Sequence, residues 1–402
     1  MKFSSQEVIQ YVQEEDVKFI RLAFCDVFGK QKNISIMPEE LPRAFDTGIA
    51  IDGSAIKGFG DETHSDLLLH PDPETLMLLP WRPEHGRVVL MYTTVTWPDG
   101  TPFAQDTRTL LKNAIAEAKA AGYQFSFGAE LEFYLFLLDE NGERTDKPYD
   151  TAAYMDIAPE DKGENVRREI CLTLEQMNIF PESSHHEEGP GQNEIDFRFS
   201  ETLNAADNAQ TFQNVVKTIA RRYGLYADFS AKPLKDGPGN GYHINISVNN
   251  NESPEDFNYM IAGILKHVHD MTLFLNPTKN SYDRFGSNKA PKYISWSHEN
   301  RSQLIRIPAA TGQYTRCELR SPDPSANPYL AYTLMIYAAL DGIINKLPLP
   351  EAADFNLFKA DMQTLEQFKT LPLSYGEACE AAKSSEFIKA HIPASILDIY
   401  CK

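Results

Sequence analysis

Cysteine is scarce and scattered. The chain has five, Cys25, Cys171, Cys317, Cys379 and Cys401, an odd number with no CxxC pair among them. A disulfide framework is excluded, and a reducing compartment is the expected setting. No apolar run approaches the ~20 residues of a membrane-spanning helix. The first residues, Met1-Lys-Phe-Ser-Ser-Gln-Glu, read as a capped helix start and not as a targeting peptide. A cytoplasmic protein without a membrane partner is therefore expected. Positive charge is also in short supply, 38 Lys and Arg against 57 Asp and Glu, for a net charge of −19. That excludes nucleic acid and anionic membranes as the main partners but leaves room for a locally basic pocket. There is no Walker A motif and no kinase-type glycine loop. Gly237-Pro-Gly-Asn-Gly241 has the glycines without GxGxxG spacing, so a P-loop NTPase is excluded.

At 402 residues the chain is long enough for two or three domains. The first hundred residues pattern as a small strand-rich unit with one clear helix over 5–14. Strands are expected over 17–26, 31–37, 67–69, 75–79 and 87–94, with a loop over 50–66. Trp97-Pro-Asp-Gly-Thr-Pro102 is a turn-rich boundary. Asp106 caps the next helix, whose apolar side is Leu110, Leu111, Ala114, Ile115 and Ala118 and which Gly122 ends. Further helices are expected over 164–177, 205–223, 257–275 and 328–344, short strands over 194–199, 242–248 and 304–308, and a mostly helical end over 365–400.

One stretch carries the chemistry. In Ser126-Phe-Gly-Ala-Glu-Leu-Glu-Phe-Tyr-Leu-Phe136, Phe127, Ala129, Leu131, Phe133 and Leu135 alternate with Ser126, Gly128, Glu130, Glu132 and Tyr134. As a strand it has one greasy face and one face with two neighbouring carboxylates. Such a pair repels unless something positive lies between, and a divalent cation with oxygen ligands suits it. Four later segments resemble it. His185-His-Glu187-Glu188-Gly-Pro-Gly-Gln-Asn-Glu194-Ile-Asp-Phe-Arg-Phe199 runs from a loop into a strand, with Glu194, Asp196 and Arg198 on one face and Ile195, Phe197 and Phe199 on the other. Tyr242-His243-Ile-Asn245-Ile-Ser247 alternates likewise, Asn300-Arg301-Ser-Gln-Leu-Ile-Arg306 carries two arginines, and Arg316-Cys-Glu318-Leu-Arg320 closes the set. Taken singly, each is what an amphipathic strand shows to solvent. Curved into one sheet, they make a funnel. Its carboxylates and histidine suit two divalent cations, and its arginines suit phosphate and carboxylate groups. That is equipment for phosphoryl transfer.

Gly128-Ala-Glu-Leu-Glu-Phe, His185-His-Glu-Glu-Gly-Pro-Gly-Gln-Asn-Glu, Lys232-Pro before Gly-Asn-Gly-Tyr-His243, Asn280-Ser-Tyr, Asn300-Arg-Ser-x-x-Ile-Arg-Ile-Pro and Glu318-x-Arg-x-Pro-Asp-Pro-x-x-Asn-Pro-Tyr-Leu330 occur in order, over about residues 15–345. Together they resemble the glutamine synthetase family, bacterial type I kind. The resemblance implies an α+β fold: a small N-terminal β-grasp domain over 1–103 and a larger catalytic domain over 104–402, with a curved antiparallel sheet flanked by helices. It implies a ring homo-oligomer, hexamer or dodecamer, with active sites between neighbours, and an ATP-dependent ligase joining glutamate to ammonia or another amine. Two or more Mg2+ or Mn2+ would be held, one by Glu132, Glu187 and Glu194, the other by Glu130, His243 and Glu318. Arg284, Arg301 and Arg320 would grip glutamate and the transferred phosphoryl. Arg306 and Arg316 would lie near the nucleotide phosphates, with Glu182, Phe199 and Ser247 around the nucleotide. Asp52 would reach the neighbouring subunit's site and help bind and deprotonate ammonium.

The chain departs from the pattern at the flap. The family loop ends Glu-Ala-Pro, whereas this one reads Arg284-Phe-Gly-Ser-Asn-Lys289-Ala-Pro291, one residue shorter and without an acid. Lys289 reverses the charge expected to take the amine's proton; it would repel ammonium, or stabilise a phosphorylated intermediate, or pair with Asp52. Pro238 replaces a substrate-touching asparagine, Asn245 the second histidine of His-x-His, and the C-terminal segment reads short, favouring a single ring over a double one. Three functions compete: a glutamate–ammonia ligase, a γ-glutamyl ligase for another amine or acid, and a catalytically weak nucleotide- or glutamine-binding homologue. Retention of all six implied metal ligands speaks against the last.

Overall fold

The computed structural model describes residues 3–82, 85–249, 253, 255–287, 289–310 and 312–402. Met1, Lys2 and, in the flap motif, Asn288 lie outside them. The N-terminal part runs α1 (Ser5–Glu14), β1 (Val17–Cys25), β2 (Gln31–Ile36), α2 (Leu41–Asp46), β3 (Ile49–Asp52), β4 (Asp66–Pro71), β5 (Met77–Leu78) and β6 (Arg87–Thr96). Its sheet has the order β2-β1-β6-β4-β3, with β5 also on β6. Among the described residues, only β1 and β6 run parallel in it. α1 starts where expected because Ser4 and Glu7 form a reciprocal capping box, and it buries Val8 and Val12.

Three expectations for this part need correction. Residues 50–66 are not all loop, because β3 pairs with β4 as far as Asp52 opposite Asp66. Four residues are too few to show an alternation. Residues 75–79 are mostly not strand: a one-turn helix over Pro73–Thr75 leaves only Met77 and Leu78 to pair with β6. A second, short helix, α2, carries a proline in its first turn, where the missing N–H costs nothing.

The larger part runs α3 (Thr107–Ala120), β7 (Gln124–Leu138), β8 (Arg144–Pro148), α4 (Glu164–Gln176), β9 (Pro181–His186), β10 (Gln192–Phe197), β11 (Ser200–Glu201), α5 (Thr202–Arg222), β12 (Leu225–Asp228), β13 (Tyr242–Asn249), α6 (Asp256–Leu275), β14 (Trp296–His298), β15 (Ile305–Ile307), β16 (Cys317–Leu319), α7 (Pro328–Ile344), α8 (Met362–Leu365), α9 (Tyr375–Ser384), α10 (Glu386–His391) and α11 (Ala394–Tyr400). One sheet has the order β14-β15-β16-β13-β7-β10-β9, with β8, β11 and β12 also on β7. The chain thus has the expected α+β architecture, a small sheet domain followed by a larger one whose mainly antiparallel sheet is backed by helices.

β7 is the axis of that sheet. Its apolar residues Phe127, Ala129, Leu131, Phe133 and Leu135 are each at most 1% exposed. They face the helices: Phe127 stacks on Tyr332 of α7 at 4.2 Å, and Phe133 meets Phe212 of α5 edge-on at 6.4 Å. Each large side chain buried this way contributes about 1.5–3 kcal/mol. Behind them α6 and α7 pack at facing glycines. A Cβ on Gly263 would fall 2.0 Å from the Ala338 carbonyl oxygen, and one on Gly342 2.0 Å from that of Tyr259. The opposite face of β7 is not solvated either, since Glu132 is 9% exposed.

The two sheets are joined through buried polar contacts. Arg108 of α3 donates from Nε and Nη2 to Asp207 of α5 (3.0 and 2.9 Å) and from Nη2 to Asp72 before β5 (2.9 Å). The Tyr329 hydroxyl donates to the same Asp207 at 2.7 Å. Removing the cation leaves Asp207 buried without its counter-charge. Arg108→Met should therefore destabilise the protein by about 3–5 kcal/mol, read as a lower urea midpoint; an unchanged midpoint would show that this junction is not under load.

Candidate functional site

Strand register assembles the site. On the polar face of β7, Glu130 lies opposite His243 of β13 on one side and Asp196 of β10 on the other. One pleat along, Glu132 faces Glu194, and Glu194 in turn faces His185 of β9. Asn245 faces Glu318 of β16, which faces Arg306 of β15. The expected polar strands do curve into one sheet, and their alternation delivers carboxylates, imidazoles and guanidiniums to one side of it.

Two groups of ligand atoms converge there. One is Glu130, His243 and Glu318, and the other His185, Glu187 and Glu194, each with candidate atoms within 4.8 Å of one another. His243 Nδ1 lies 3.4 Å from Glu130 Oε2 and 3.6 Å from Glu318 Oε1. The first group is the trio implied from the sequence. In the second, His185 stands with Glu187 and Glu194, while Glu132 accepts hydrogen bonds from Gln192 Nε2 (3.1 Å) and Gly241 N (2.8 Å). Asp196 forms a third group with Glu130 and Glu194. Carboxylates with a single imidazole are a donor set for Mg2+ or Mn2+, and Asp196 Oδ1 is buried without a hydrogen-bond partner.

The electrostatics agree with that fit. Burial, then Asp196, Glu132, Glu130 and Glu187, push the Glu194 carboxyl well above its ordinary range. Burial and Glu132 raise Glu187, and burial and Glu130 raise Asp196 to about 6. Burial would raise Glu130 too, but His243 and Asn245 outweigh it and hold it at about 2. Adjacent carboxylates on neighbouring strands are mutually destabilising, and a divalent cation is the direct remedy.

His185 and His186 are corrected from loop to strand β9. That strand lacks the apolar alternation that would have revealed it. His186 is fully buried, with Nε2 2.8 Å from Asp150 Oδ1 and Nδ1 2.7 Å from the Glu187 carbonyl oxygen. It fixes the backbone that presents Glu187.

Two cavities meet at the carboxylates. The first, 290 Å3, is lined by Glu182, Ser183, Phe199, Ser247, Tyr314 and Arg316 among others. It therefore gathers four of the five residues expected around a nucleotide. Phe199 does not share the core face with Ile195 and Phe197, since β10 ends at Phe197. Its ring is half exposed and meets Tyr314 edge-on at 6.3 Å. Arg198 likewise leaves the Glu194 and Asp196 face and lies over the Phe180 ring at 5.7 Å. The second cavity, 440 Å3, is lined by Glu132, His185, Glu187, Arg284, Arg301 and Arg320 among others. It also takes in Arg306, the fifth expected nucleotide residue. Glu130, Ser183, Asp196 and Arg316 line both. Arg306 donates to Glu318 at 2.7 Å, and Arg320 pairs with the same buried carboxylate. The Nε atoms of Arg284, Arg306 and Arg320 are buried without a protein acceptor. A larger cavity of 710 Å3, between α5 and the N-terminal sheet, is lined by Arg21, Arg82 and Lys217 and contains none of these residues.

At the mouth of the second cavity, Lys289 pairs with Glu188 and not, within the chain, with Asp52. Asp52, at the exposed end of β3, accepts from Ser54 N and Oγ (2.9 and 2.7 Å) and lines neither cavity. Tyr154 escaped the sequence reading, because it lies in a stretch without periodicity. Its ring meets His185 edge-on at 5.5 Å.

Residues 104–402 match the family described as "Glutamine synthetase, catalytic domain", and residues 16–98 match "Glutamine synthetase, beta-Grasp domain". The chain is 43% identical to a glutamine synthetase of Clostridium saccharobutylicum, over 96% of this chain and 91% of the relative. It is 44% identical to one of Methanosarcina mazei, over 99% and 92%. Among solved structures, a GmaS/ADP complex superposes with a TM-score of 0.88 at 28% identity, covering 98% of this chain and 93% of that one. Plasmodium falciparum glutamine synthetase, at 22% identity and a TM-score of 0.86 over 100% and 95%, shares the fold.

Two outcomes test the site. Carboxylates raised in the fold cost stability as pH climbs from an unfolded value of about 4 to about 6 for Asp196. A bound divalent ion cancels that cost. Mg2+ at a hundredfold over its dissociation constant should stabilise by about 2.7 kcal/mol, and the melting-temperature gain over EDTA should be larger at pH 7.5 than at pH 5.5; equal gains would contradict the linkage. Gly241→Ala would put a Cβ 2.6 Å from His243 Nε2. It should weaken Mn2+ binding about tenfold or more with an unchanged circular dichroism spectrum, and titration calorimetry reads the difference.

Proposed function

The chain belongs to the glutamine synthetase family, and we propose that it joins glutamate to ammonia through a γ-glutamyl phosphate. It is an ATP-dependent amide-forming ligase. The observation that carries the substrate reading is the junction of the two cavities at Glu130 and Asp196, with an aromatic pocket on one side and arginines on the other.

In this reading Glu182, Phe199, Ser247 and Arg316 receive the nucleotide, and Arg306 lies near its phosphates. Arg284, Arg301 and Arg320 take glutamate and the transferred phosphoryl group. Glu130, His243 and Glu318 hold one metal, and Glu187 and Glu194 hold another with Glu132 or His185. Bound divalent ions would neutralise charge on the phosphoryl oxygens. A carboxylate is a poor acylating agent, so a γ-carboxylate oxygen of glutamate first attacks the γ-phosphorus and ADP leaves. The arginines bind the oxygens that gain charge and hold the two reactants in line. The amine nitrogen then attacks the acyl carbon, phosphate leaves, and the nitrogen loses a proton. Asp52 of a neighbouring subunit serves that end, in a type I-like ring, hexamer or dodecamer. In the same reading the two domains divide between residues 103 and 104, the flap is altered at Lys289, and the setting is cytoplasmic.

A second reading, ligation of a different amine, is favoured by Lys289 and Pro238, which both line the amine end of the funnel. Phosphate release from ATP, Mg2+ and glutamate separates them. Ammonium-dependent release supports the first, release with another amine alone supports the second, and nucleotide binding without turnover would contradict both. Glu318→Gln should cut turnover at least a hundredfold by removing a carboxylate shared by two arginines and a metal group; a smaller loss would remove Glu318 from the site.

A further inference from the structure

The loop 285–291 carries no acid, yet a carboxylate stands at its tip. Lys289 pairs through Nζ with Glu188, a partner 101 residues away in the β9–β10 turn. The same Nζ lies 5.3 Å from the centre of the Tyr154 ring. On the inner side, the Glu188 backbone N–H donates to Glu187 Oε2 at 2.9 Å, which ties the pair to a candidate metal ligand. On the outer side the loop is knit by Gly286 N to Ala290 O (2.8 Å) and Ala290 N to Ser287 O (2.9 Å). Lys289 takes the left-handed backbone, φ +62°. All three side chains line the funnel cavity.

Resting on the ligase reading, we propose that Lys289 and Glu188 form a clasp that closes the amine end of the funnel over the acyl phosphate. An acyl phosphate lost to water is wasted ATP, so this end needs a cover that opens and shuts at every turnover. A flap carboxylate would bring a net negative charge to the mouth. The pair brings none, and the aromatic face of Tyr154 seats the cation. Half exposed, it is weakly held and salt-sensitive, as a cover that opens repeatedly must be. Both are positioning residues: they act by shutting out water and holding the β9–β10 turn against the loop. The geometry also decides what a Lys289→Glu substitution would do. It does not simply supply an acid; it sets a second carboxylate against Glu188.

The test uses the full-length assembled protein and measures glutamine formed per ATP cleaved, together with phosphate release in the absence of amine. Lys289→Met and Glu188→Gln should each raise amine-independent release roughly threefold to fivefold, and Lys289→Glu at least as much. The exchange Glu188→Lys with Lys289→Glu should bring the ratio back towards the natural protein, which a merely structural role for either residue would not produce. Raising salt from about 0.05 to about 0.5 M should make the natural protein leak and leave Lys289→Met unaffected. Melting temperatures of the single variants should match the natural protein, as the pair is at the surface. Ammonium-dependent turnover with unchanged leakage in all three single variants, or an exchange variant that leaks like Lys289→Glu, overturns the clasp alone. Absence of any amine-dependent turnover in the natural protein overturns the ligase reading and the clasp with it.

Discussion

The constraint on which the rest depends is a set of carboxylates that cannot avoid one another. Glu130 and Glu132 sit on a strand whose other face is fully packed, so β7 cannot turn them out to solvent without exposing Phe127, Leu131 and Phe133. A register slip of one residue would exchange the faces. The apolar face thus holds the charged face in place. The strands that pair with β7 then add Glu194 and Asp196 on one side and His243 on the other, and β16, one strand further out, adds Glu318. Hydrophobic burial in the helical layer sustains an electrostatic arrangement that would not persist by itself, and that a divalent cation would relieve.

Around that centre the molecule divides its labour. The carboxylate side is built on strands: Glu130, Glu132, Glu194, His243 and Arg306 are held by ladder register, and His186 bridges the Glu187 carbonyl oxygen and Asp150. The mouth of the second cavity is built on loops. Lys289, Glu188 and Tyr154 come from three separate connections and meet only at their tips. In the proposed ligase reaction the strand-held side is where charge would develop during phosphoryl transfer, and the loop-built mouth is where an amine would enter and water would have to be kept out.

Much of this was legible in the sequence because strand alternation reports faces directly. The alternation of Phe127 to Leu135 against Glu130 and Glu132 survives intact in β7, and His243, Glu318 and Arg306 fall where period two puts them. What was not legible had no period to show it. β9 contains Glu182-Ser-Ser-His-His with no apolar alternation, so no periodicity marks it as a strand or signals the approach of His185 to Glu187 and Glu194. The alternation that would put Phe199 on the core face stops at Phe197, where β10 ends. The partner of Lys289 lies across the chain, and no local pattern names a contact at that separation. β3 and α2 were too short to outweigh the turn residues around them.

The central claim is that this face of the sheet holds divalent metal between a nucleotide and glutamate. The most direct measurement is an anomalous-difference map from crystals grown with Mn2+ and a non-hydrolysable ATP analogue. The account predicts one peak among Glu130, His243 and Glu318, and a second beside Glu187 and Glu194 that reaches either Glu132 or His185. Manganese bound elsewhere, with both clusters empty while the nucleotide occupies the Phe199 pocket, would contradict it.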